Sequence, residues 1–286
     1  MVVGLWYGFK HEIIEKQEEG TTMNIISIDG ACYHNGQDDG YSCGACAVIR
    51  NDEENTFTAK DLYTGSIIDE GGTNQRGELR GLQIALEFIV DHPGNYLIVT
   101  DSEYIYNAMT RGWINGWRCN KWLTSTGAPV KNQDIWKTIF HLMCIIETVC
   151  EDSPCFYHIK GHIIPFGKAT RNALLSKDPS GYELLVAIMD KFDSTFDPND
   201  KRVVHAQQCS VRNNGFELSP EQLRRFVVLN MLADGVASYY LEDTLPKLFR
   251  GYKEFYDLTD ASSDAPGDHQ DTSRETQGSS VDPHTL

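Results

Sequence analysis

The sequence predicts an α/β fold: a five-stranded mixed sheet, three antiparallel strands and then two parallel ones, flanked by helices and carrying a helical insertion. Three observations predict it. Apolar runs between residues 24 and 66 are joined by short polar turns, the pattern of an antiparallel meander. From residue 74 amphipathic helices alternate with strands, which lays the later strands parallel. A long stretch ahead of the last helix then carries helix signals of its own.

Asn24 to Tyr33 reads as the first strand, with Ile25, Ser27 and Asp29 on one face and Ile26 and Ile28 on the other. Asn35-Gly36 and Asp39-Gly40 are turn signals. Tyr41 to Arg50 is the second strand, Asn51 to Asn55 a polar turn, and Thr56 to Ser66 the third strand. Asn74 to Val90 is a helix, because Leu79, Leu82, Leu86 and Ile89 recur at helical spacing. Asn95 to Thr100 is a short buried strand that ends in Thr100-Asp101-Ser102, and Ser102 caps a helix to about Thr110. Trp113 to Ala128 sets Trp113, Trp117 and Trp122 beside Arg118 and Lys121. Pro129 to Asn132 opens a helix through about Val149, and Pro154 to Lys160 is the fifth strand.

Beyond His162 the pattern changes. Tyr182 to Phe196 reads as a helix, and Asp197 to Gly215 is polar. Ser219-Pro220-Glu221 starts a helix that runs to about Asp243. The organisation expected is an N-terminal extension over 1–22 (with Met23 a second possible start), a domain over 23–259 with an insertion at about 163–229, and a disordered acidic tail over 260–286.

The 286 residues are 41% hydrophobic, enough for a sizeable core, and the net charge of −16 argues against a general nucleic-acid binder. No run is long and apolar enough to span a membrane, and the first ten residues lack the pattern of a secretory signal. An intracellular protein, nuclear or cytoplasmic, is expected. Of the eight cysteines only Cys43 and Cys46 are close, and on a strand i and i+3 point to opposite faces. That speaks against a shared metal and for reduced, mostly buried thiols.

Four carboxylates stand out: Asp29, Glu78, Asp101 and Asp234. Singly, each has an ordinary structural account as a bulge, a solvated helix acid, a cap and a surface acid. Together they read differently. Asp29 and Asp101 interrupt or end apolar strands, and Asp234 sits among Leu232, Ala233, Val236 and Ala237. Buried acids brought to one place repel, and hard divalent cations such as Mg²⁺ or Mn²⁺ resolve that.

Six local motifs resemble ribonuclease H of type 1. They are Ile28-Asp29-Gly30-Ala31-Cys32 with Asn35; Thr73-Asn74-Gln75-Arg76-Gly77-Glu78-Leu79; and Thr100-Asp101-Ser102-Glu103-Tyr104. The others are the handle-like Trp113 to Asn132, Lys160-Gly161-His162, and Asn230-Met231-Leu232-Ala233-Asp234. The resemblance covers about residues 24 to 162 and 228 to 245, and some of its forms look fungal. It implies the ribonuclease H-like fold and an endonuclease that cuts the RNA strand of an RNA/DNA hybrid, leaving 5′-phosphate and 3′-hydroxyl ends. It implies that Asp29, Glu78, Asp101 and Asp234 hold two Mg²⁺ ions, with Mn²⁺ able to substitute, and that His162 assists proton transfer or product release. It further implies that Asn35, Asn74, Gln75 and Asn230 contact substrate and that the DNA strand lies near Trp113. The protein is expected to act as a monomer, away from membranes, with no protein partner indicated.

Two departures mark this chain. Sixty-seven residues separate His162 from Asn230, where the family has a few. We expect a small helical subdomain there, with Lys201, Arg202, Arg224 and Arg225 as either phosphate contacts or solvated charge. The handle also keeps only Arg118, Lys121 and Lys131, so weaker and less salt-dependent binding is expected. The competing reading is a catalytically weak nucleic-acid-binding or scaffold protein on the same fold. A DEDD exonuclease is disfavoured, because Gly30 and Ala31 follow Asp29 where that class has Asp-x-Glu.

Overall fold

The computed structural model describes residues 24–37, 40–50, 57–70 and 72–260, with side chains to residue 242. The expected N-terminal extension, the turn at 51–55 and all but the first residue of the acidic tail lie outside them. One compact unit ends at Thr244; a second begins at Leu245 and is helical to Asp260.

The sheet comprises β1 (Asn24–Tyr33), β2 (Tyr41–Ile49), β3 (Leu62–Glu70), β4 (Tyr96–Thr100) and β5 (Cys155–His158), in the order β3-β2-β1-β4-β5. β1, β2 and β3 pair antiparallel, while β4 joins β1 and β5 joins β4 in parallel. The third strand starts later than its alternation predicts. A turn over Thr58–Asp61, closed by the Asp61 amide on the Thr58 carbonyl at 3.1 Å and by Thr58 Oγ1 on the Asp61 carboxylate, delays the ladder to Leu62. Phe57 is then free to bury itself in the core.

The helices are α1 (Asn74–Asp91), α2 (Glu103–Thr110), α3 (Trp113–Cys119), α4 (Gln133–Val149), α5 (Lys168–Lys177), α6 (Tyr182–Thr195), α7 (Lys201–Asn214) and α8 (Pro220–Asp260). Caps fix several of them. Thr73 Oγ1 accepts from the Arg76 amide at 3.2 Å to start α1. Ser219 and Gln222 form a reciprocal capping box at α8, each side chain on the other's amide, at 3.1 and 2.9 Å. Among the described residues no helix is long and apolar enough to cross a membrane.

The two sheet faces carry separate cores. Ile26, Ile28, Cys46, Val48, Ile98 and Phe156 pack under α1, α2 and α4. Ile25, Ala45, Ala47, Leu97, Val99 and Tyr157 pack under α6, α7 and α8. The small helical subdomain expected at the insertion packs its helices into this core, as one layer of the domain. The polar stretch 197–215 is α7 over Lys201–Asn214, capped by the Asp200 carboxylate on the Arg202 amide and ended by Gly215 at φ +93°. Ile188 on α6 is buried in this core. Ile188→Ala should cost about 2–5 kcal/mol in a urea melt that stays a single transition. A detached subdomain would leave the main transition where it was.

α1 rests on the sheet backbone to backbone. A Cβ on Gly30 would lie 2.2 Å from the Glu78 nitrogen, and one on Gly44 would lie 2.1 Å from the Gly81 nitrogen. Only a residue without a side chain allows this approach. Arg76 and Arg80 then clamp α1 to Asp69 of β3 at 2.8 and 2.7 Å, and Arg76 also reaches Asp134 of α4 at 2.9 Å.

Candidate active site

The glycine contact carries the first turn of α1, and with it Glu78, against β1 where Asp29 sits. β1 and β4 are parallel neighbours with Ile28 beside Thr100, so Asp101 leaves β4 next to Asp29. α8 crosses the same end of the sheet. It puts Asn230 Nδ2 3.5 Å from Asp29 Oδ2 and brings Asp234 close enough for its charge to act on both Asp29 and Asp101. Four elements thus deliver the four acids to one place.

Their electrostatics match that placement. Asp29 is held well above the usual carboxylate range, first by burial and then by repulsion from Asp101 and Asp234, against the Gly30 amide that donates to it at 2.6 Å. Glu78 is raised by burial, with Asp101 adding to it, while Ser102 Oγ donates to Glu78 Oε2 at 2.5 Å and lowers it. The same Ser102 oxygen accepts the Ile105 amide and caps α2, so one hydroxyl ties Glu78 to the start of that helix. Asp101 is raised by burial and by Asp234, opposed by the positive charge of His162 and Lys160. Isolated buried carboxylates of this kind are costly unless a cation joins them.

The donors are all hard oxygens. Among the described residues no three His, Cys, Asp or Glu side chains close on a single metal-sized point. Oxygen donors of this kind suit Mg²⁺, which takes one or two carboxylates and completes its shell with water and substrate phosphate oxygens. Cys43 and Cys46 face the two opposite cores, and burial pushes both thiols up to about 12, as inert core residues.

Other predicted residues are placed as follows. His162 is exposed, in the left-handed region at φ +54°, directly after Gly161. A Cβ on Gly161 would lie 2.0 Å from Asp101 Oδ2, so this position needs glycine for the carboxylate to stand where it does. Asn35, Asn74 and Gln75 are exposed together at one edge, where Asn35 Oδ1 accepts the Asn74 amide at 3.3 Å. Trp113 is exposed, while Trp117 packs on Trp136 with ring centroids 5.3 Å apart and Trp122 on Phe140 at 6.4 Å. Asn230 is buried at 4% exposure beneath Asp29, where it serves the carboxylate and presents nothing to a surface strand. Arg202 and Arg224 are taken up by Asp200 and Asp193, at 2.8 and 2.6 Å, and Arg225 lies over the Phe57 ring at 5.6 Å.

The sequence does not announce what holds Asp101 from behind. His158, the last residue of β5, points Nε2 at the Asp101 carbonyl, 3.1 Å away. Its Nδ1 lies 2.8 Å from Asn213 Nδ2, and an amide nitrogen can only donate, so the ring proton sits on Nε2. Burial lowers the His158 pKa and keeps the ring neutral. The Asn214 side chain accepts the His158 amide at 2.9 Å and donates to its carbonyl at 2.8 Å, standing in for a further strand. Tyr106 adds a bond to the Asn213 carbonyl at 2.7 Å. The C-terminal end of α7 is therefore fastened to the strand that carries Asp101's support.

Comparison with known proteins identifies relatives of the sequence. The sequence model of the family described as RNase H matches residues 21–172, a stretch that contains Asp29, Glu78, Asp101 and His162 and stops short of Asp234. The chain is similar to a ribonuclease H of Jannaschia sp., 39% identical over 115 residues, 40% of this chain and 68% of that protein. It is also similar to a ribonuclease H of Clostridium botulinum, 30% identical over 138 residues, 48% of this chain and 83% of that protein. Among solved structures, the PFV RNase H domain superposes at 17% identity over 59% of this chain and 98% of that domain, with a TM-score of 0.41.

Proposed function

Because this chain belongs to the ribonuclease H family, we propose that it is an endonuclease that hydrolyses the RNA strand of RNA/DNA hybrids, leaving 5′-phosphate and 3′-hydroxyl ends. The observation that carries this reading is the convergence of four acids, Asp29 from β1, Glu78 from α1, Asp101 from the end of β4 and Asp234 from α8, on one end of the sheet. Asp29, Glu78, Asp101 and Asp234 would hold two Mg²⁺ ions, or Mn²⁺ in their place. Such ions acidify an attacking water and neutralise charge at phosphorus.

The chain's own residues supply orientation. The Gly30 amide and Asn230 aim Asp29; Ser102 aims Glu78; His158 and Gly161 fix Asp101 from two sides. His162, exposed beside Asp101, would move a proton to or from the leaving oxygen. Asn35, Asn74 and Gln75 form the exposed edge that would meet 2′-hydroxyls in a minor groove, with Trp113 beside the DNA strand. One chain carries the whole acid set, so the reading needs no second copy.

The test is a substrate panel with Mg²⁺: RNA/DNA hybrid, duplex RNA, single-stranded RNA and duplex DNA. We expect cleavage of the hybrid's RNA alone. Hybrid binding without metal-dependent cleavage would sink the proposal.

Stability should report the metal independently of turnover. Raised carboxylate pKa values mean that the folded, metal-free protein binds more protons than the unfolded chain. The stability from Asp29, Glu78 and Asp101 is then fully present below the ordinary carboxylate range and is lost as pH rises through their raised folded values. Mg²⁺ should offset that loss. A ligand at a hundred times its Kd adds about 2.7 kcal/mol, or roughly 5–10 °C in melting temperature for a domain of this size. Asp29→Asn should remove most of both the pH slope and the Mg²⁺ shift.

A further inference from the structure

A second feature opens onto Asp101. A cavity of about 300 Å³ lies between the end of β5 and α7, and its walls include Asp101, Lys160, His162, His205 and Arg212. Lys160 and His162 come from the segment after β5. His205 and Arg212 come from the insertion, at positions i and i+7 of α7, so they share one face with Cys209 between them.

Arg212 differs from the other insertion arginines. Arg202 and Arg224 sit in tight carboxylate pairs, and Arg171 reaches Glu242 beside Lys168. Arg212 meets Glu103 only at 3.5 Å, and both side chains are 64% exposed. A pair that loose and exposed is readily exchanged for a better anion. The helix that carries Arg212 is meanwhile fixed: Asn213 and Asn214 grip His158, Ser210 Oγ is bonded to the Tyr157 hydroxyl, and Gln207 is bonded to the Leu218 backbone at 2.8 and 3.0 Å. Arg212 Nε also donates to Asn213 Oδ1 at 3.3 Å. Exposed, loosely held side chains on a fixed scaffold, lining one cavity with the carboxylate that would hold metal, are the arrangement of an anion subsite. Arg offers a planar fork for phosphate oxygens, and a neutral imidazole still donates one N–H.

We propose that the insertion supplies a phosphate-binding subsite: His205 and Arg212, with Lys160 and His162, hold a backbone phosphate of the nucleic-acid strand next to the scissile phosphodiester. The proposal rests on the reading of the acid cluster as a nuclease centre. It also accounts for how a chain of net charge −16, with a handle poor in basic residues, retains a substrate strand beside four acids. The cations are spent locally, where a strand must be held, and not over the whole surface.

Binding and cleavage are read separately to test it. Hybrid affinity is followed by fluorescence anisotropy across a KCl series with Ca²⁺ in place of Mg²⁺, and turnover is measured with Mg²⁺. The combined His205→Gln and Arg212→Gln variant should bind roughly tenfold more weakly, and its slope of log Kd against log[KCl] should be shallower by about 1. Both side chains are exposed, so its melting temperature should match the wild type. Arg212→Lys, which keeps the charge, should recover most of the slope. A single uncharged methylphosphonate, walked along the strand, should weaken the wild type at one position and leave the variant indifferent there. Unchanged affinity and slope in the variant would overturn the subsite, even if the wild type cleaves hybrids. A wild type that never cleaves, with the slope difference intact, would instead remove the nuclease reading and leave the subsite standing. No hybrid binding by the wild type would overturn both.

Discussion

Asp101→Asn is expected to reduce hybrid cleavage by roughly 10³-fold or more, while leaving the fold intact and the metal-free protein more stable. The activity loss follows from position. Asp101 interacts electrostatically with Asp29, Glu78 and Asp234, as Asp29 does with the other three, so it lies at the centre of the cluster. An amide keeps its shape and one oxygen but removes the charge that would hold a cation. The charge stabilisation that metal ions give a transition state is worth several kcal/mol, and each 1.36 kcal/mol is tenfold in rate. The stability gain follows from the same repulsion: with one of the buried charges gone, Asp29 and Glu78 ionise more cheaply. Single-turnover cleavage and a thermal melt in EDTA check the two halves. A variant that loses activity because it unfolds would melt lower, the opposite of what is expected.

The second large effect should come from Gly30→Ala. The added methyl would sit 2.2 Å from the Glu78 nitrogen and 2.3 Å from the Gly77 carbonyl carbon, which are backbone atoms with no rotamer to escape into. Either β1 or the start of α1 must move. Overpacking of this kind costs about 1–3 kcal/mol and can cost more. The shift falls directly on Asp29 and Glu78, and a displacement of about 1 Å at a reacting centre can lose about 10²-fold in rate. Gly116→Ala on α3 is the control: nothing lies within 4 Å of a Cβ there, and alanine favours a helix, so its stability should hold or rise. Denaturant melts with single-turnover rates distinguish the two substitutions.

Much of this was legible in the sequence, for identifiable reasons. β1, β4 and α1 follow period and cap: alternation in Ile25 to Ile28, an apolar run closed by Thr100-Asp101-Ser102, and leucines at helical spacing after Thr73. Asp29 and Asp101 stood out because each interrupts or ends such a pattern, and Asp234 because it sits among apolar residues. β3 began late because the Thr58–Asp61 turn is closed by side-chain bonding that alternation does not reveal. α7 was hidden because its buried face is built from Val203, Ala206, Cys209 and Ser210, which are small or polar. Its two end signals, Asp200 and Gly215, were present and outweighed by the polarity between them. The grip of Asn214 on His158 spans 56 residues, and no local pattern encodes a partner at that distance. For the same reason Asn230, which the resemblance makes a substrate contact, is not recognised as a residue buried under Asp29.

The insertion's place as a core layer has a consequence for how the chain is made. During synthesis β1 to β5 are complete by His158, and the stretch that matches the family ends at residue 172. At that length the face bearing Ile25, Leu97, Val99 and Tyr157 still lacks α6, α7 and α8. An emerging chain must hold a finished sheet with one bare apolar side until some seventy more residues have left the ribosome. Cutting the protein down to its family-like segment would make that exposure permanent, so such a fragment is a poor candidate for a minimal enzyme and a natural client for chaperones.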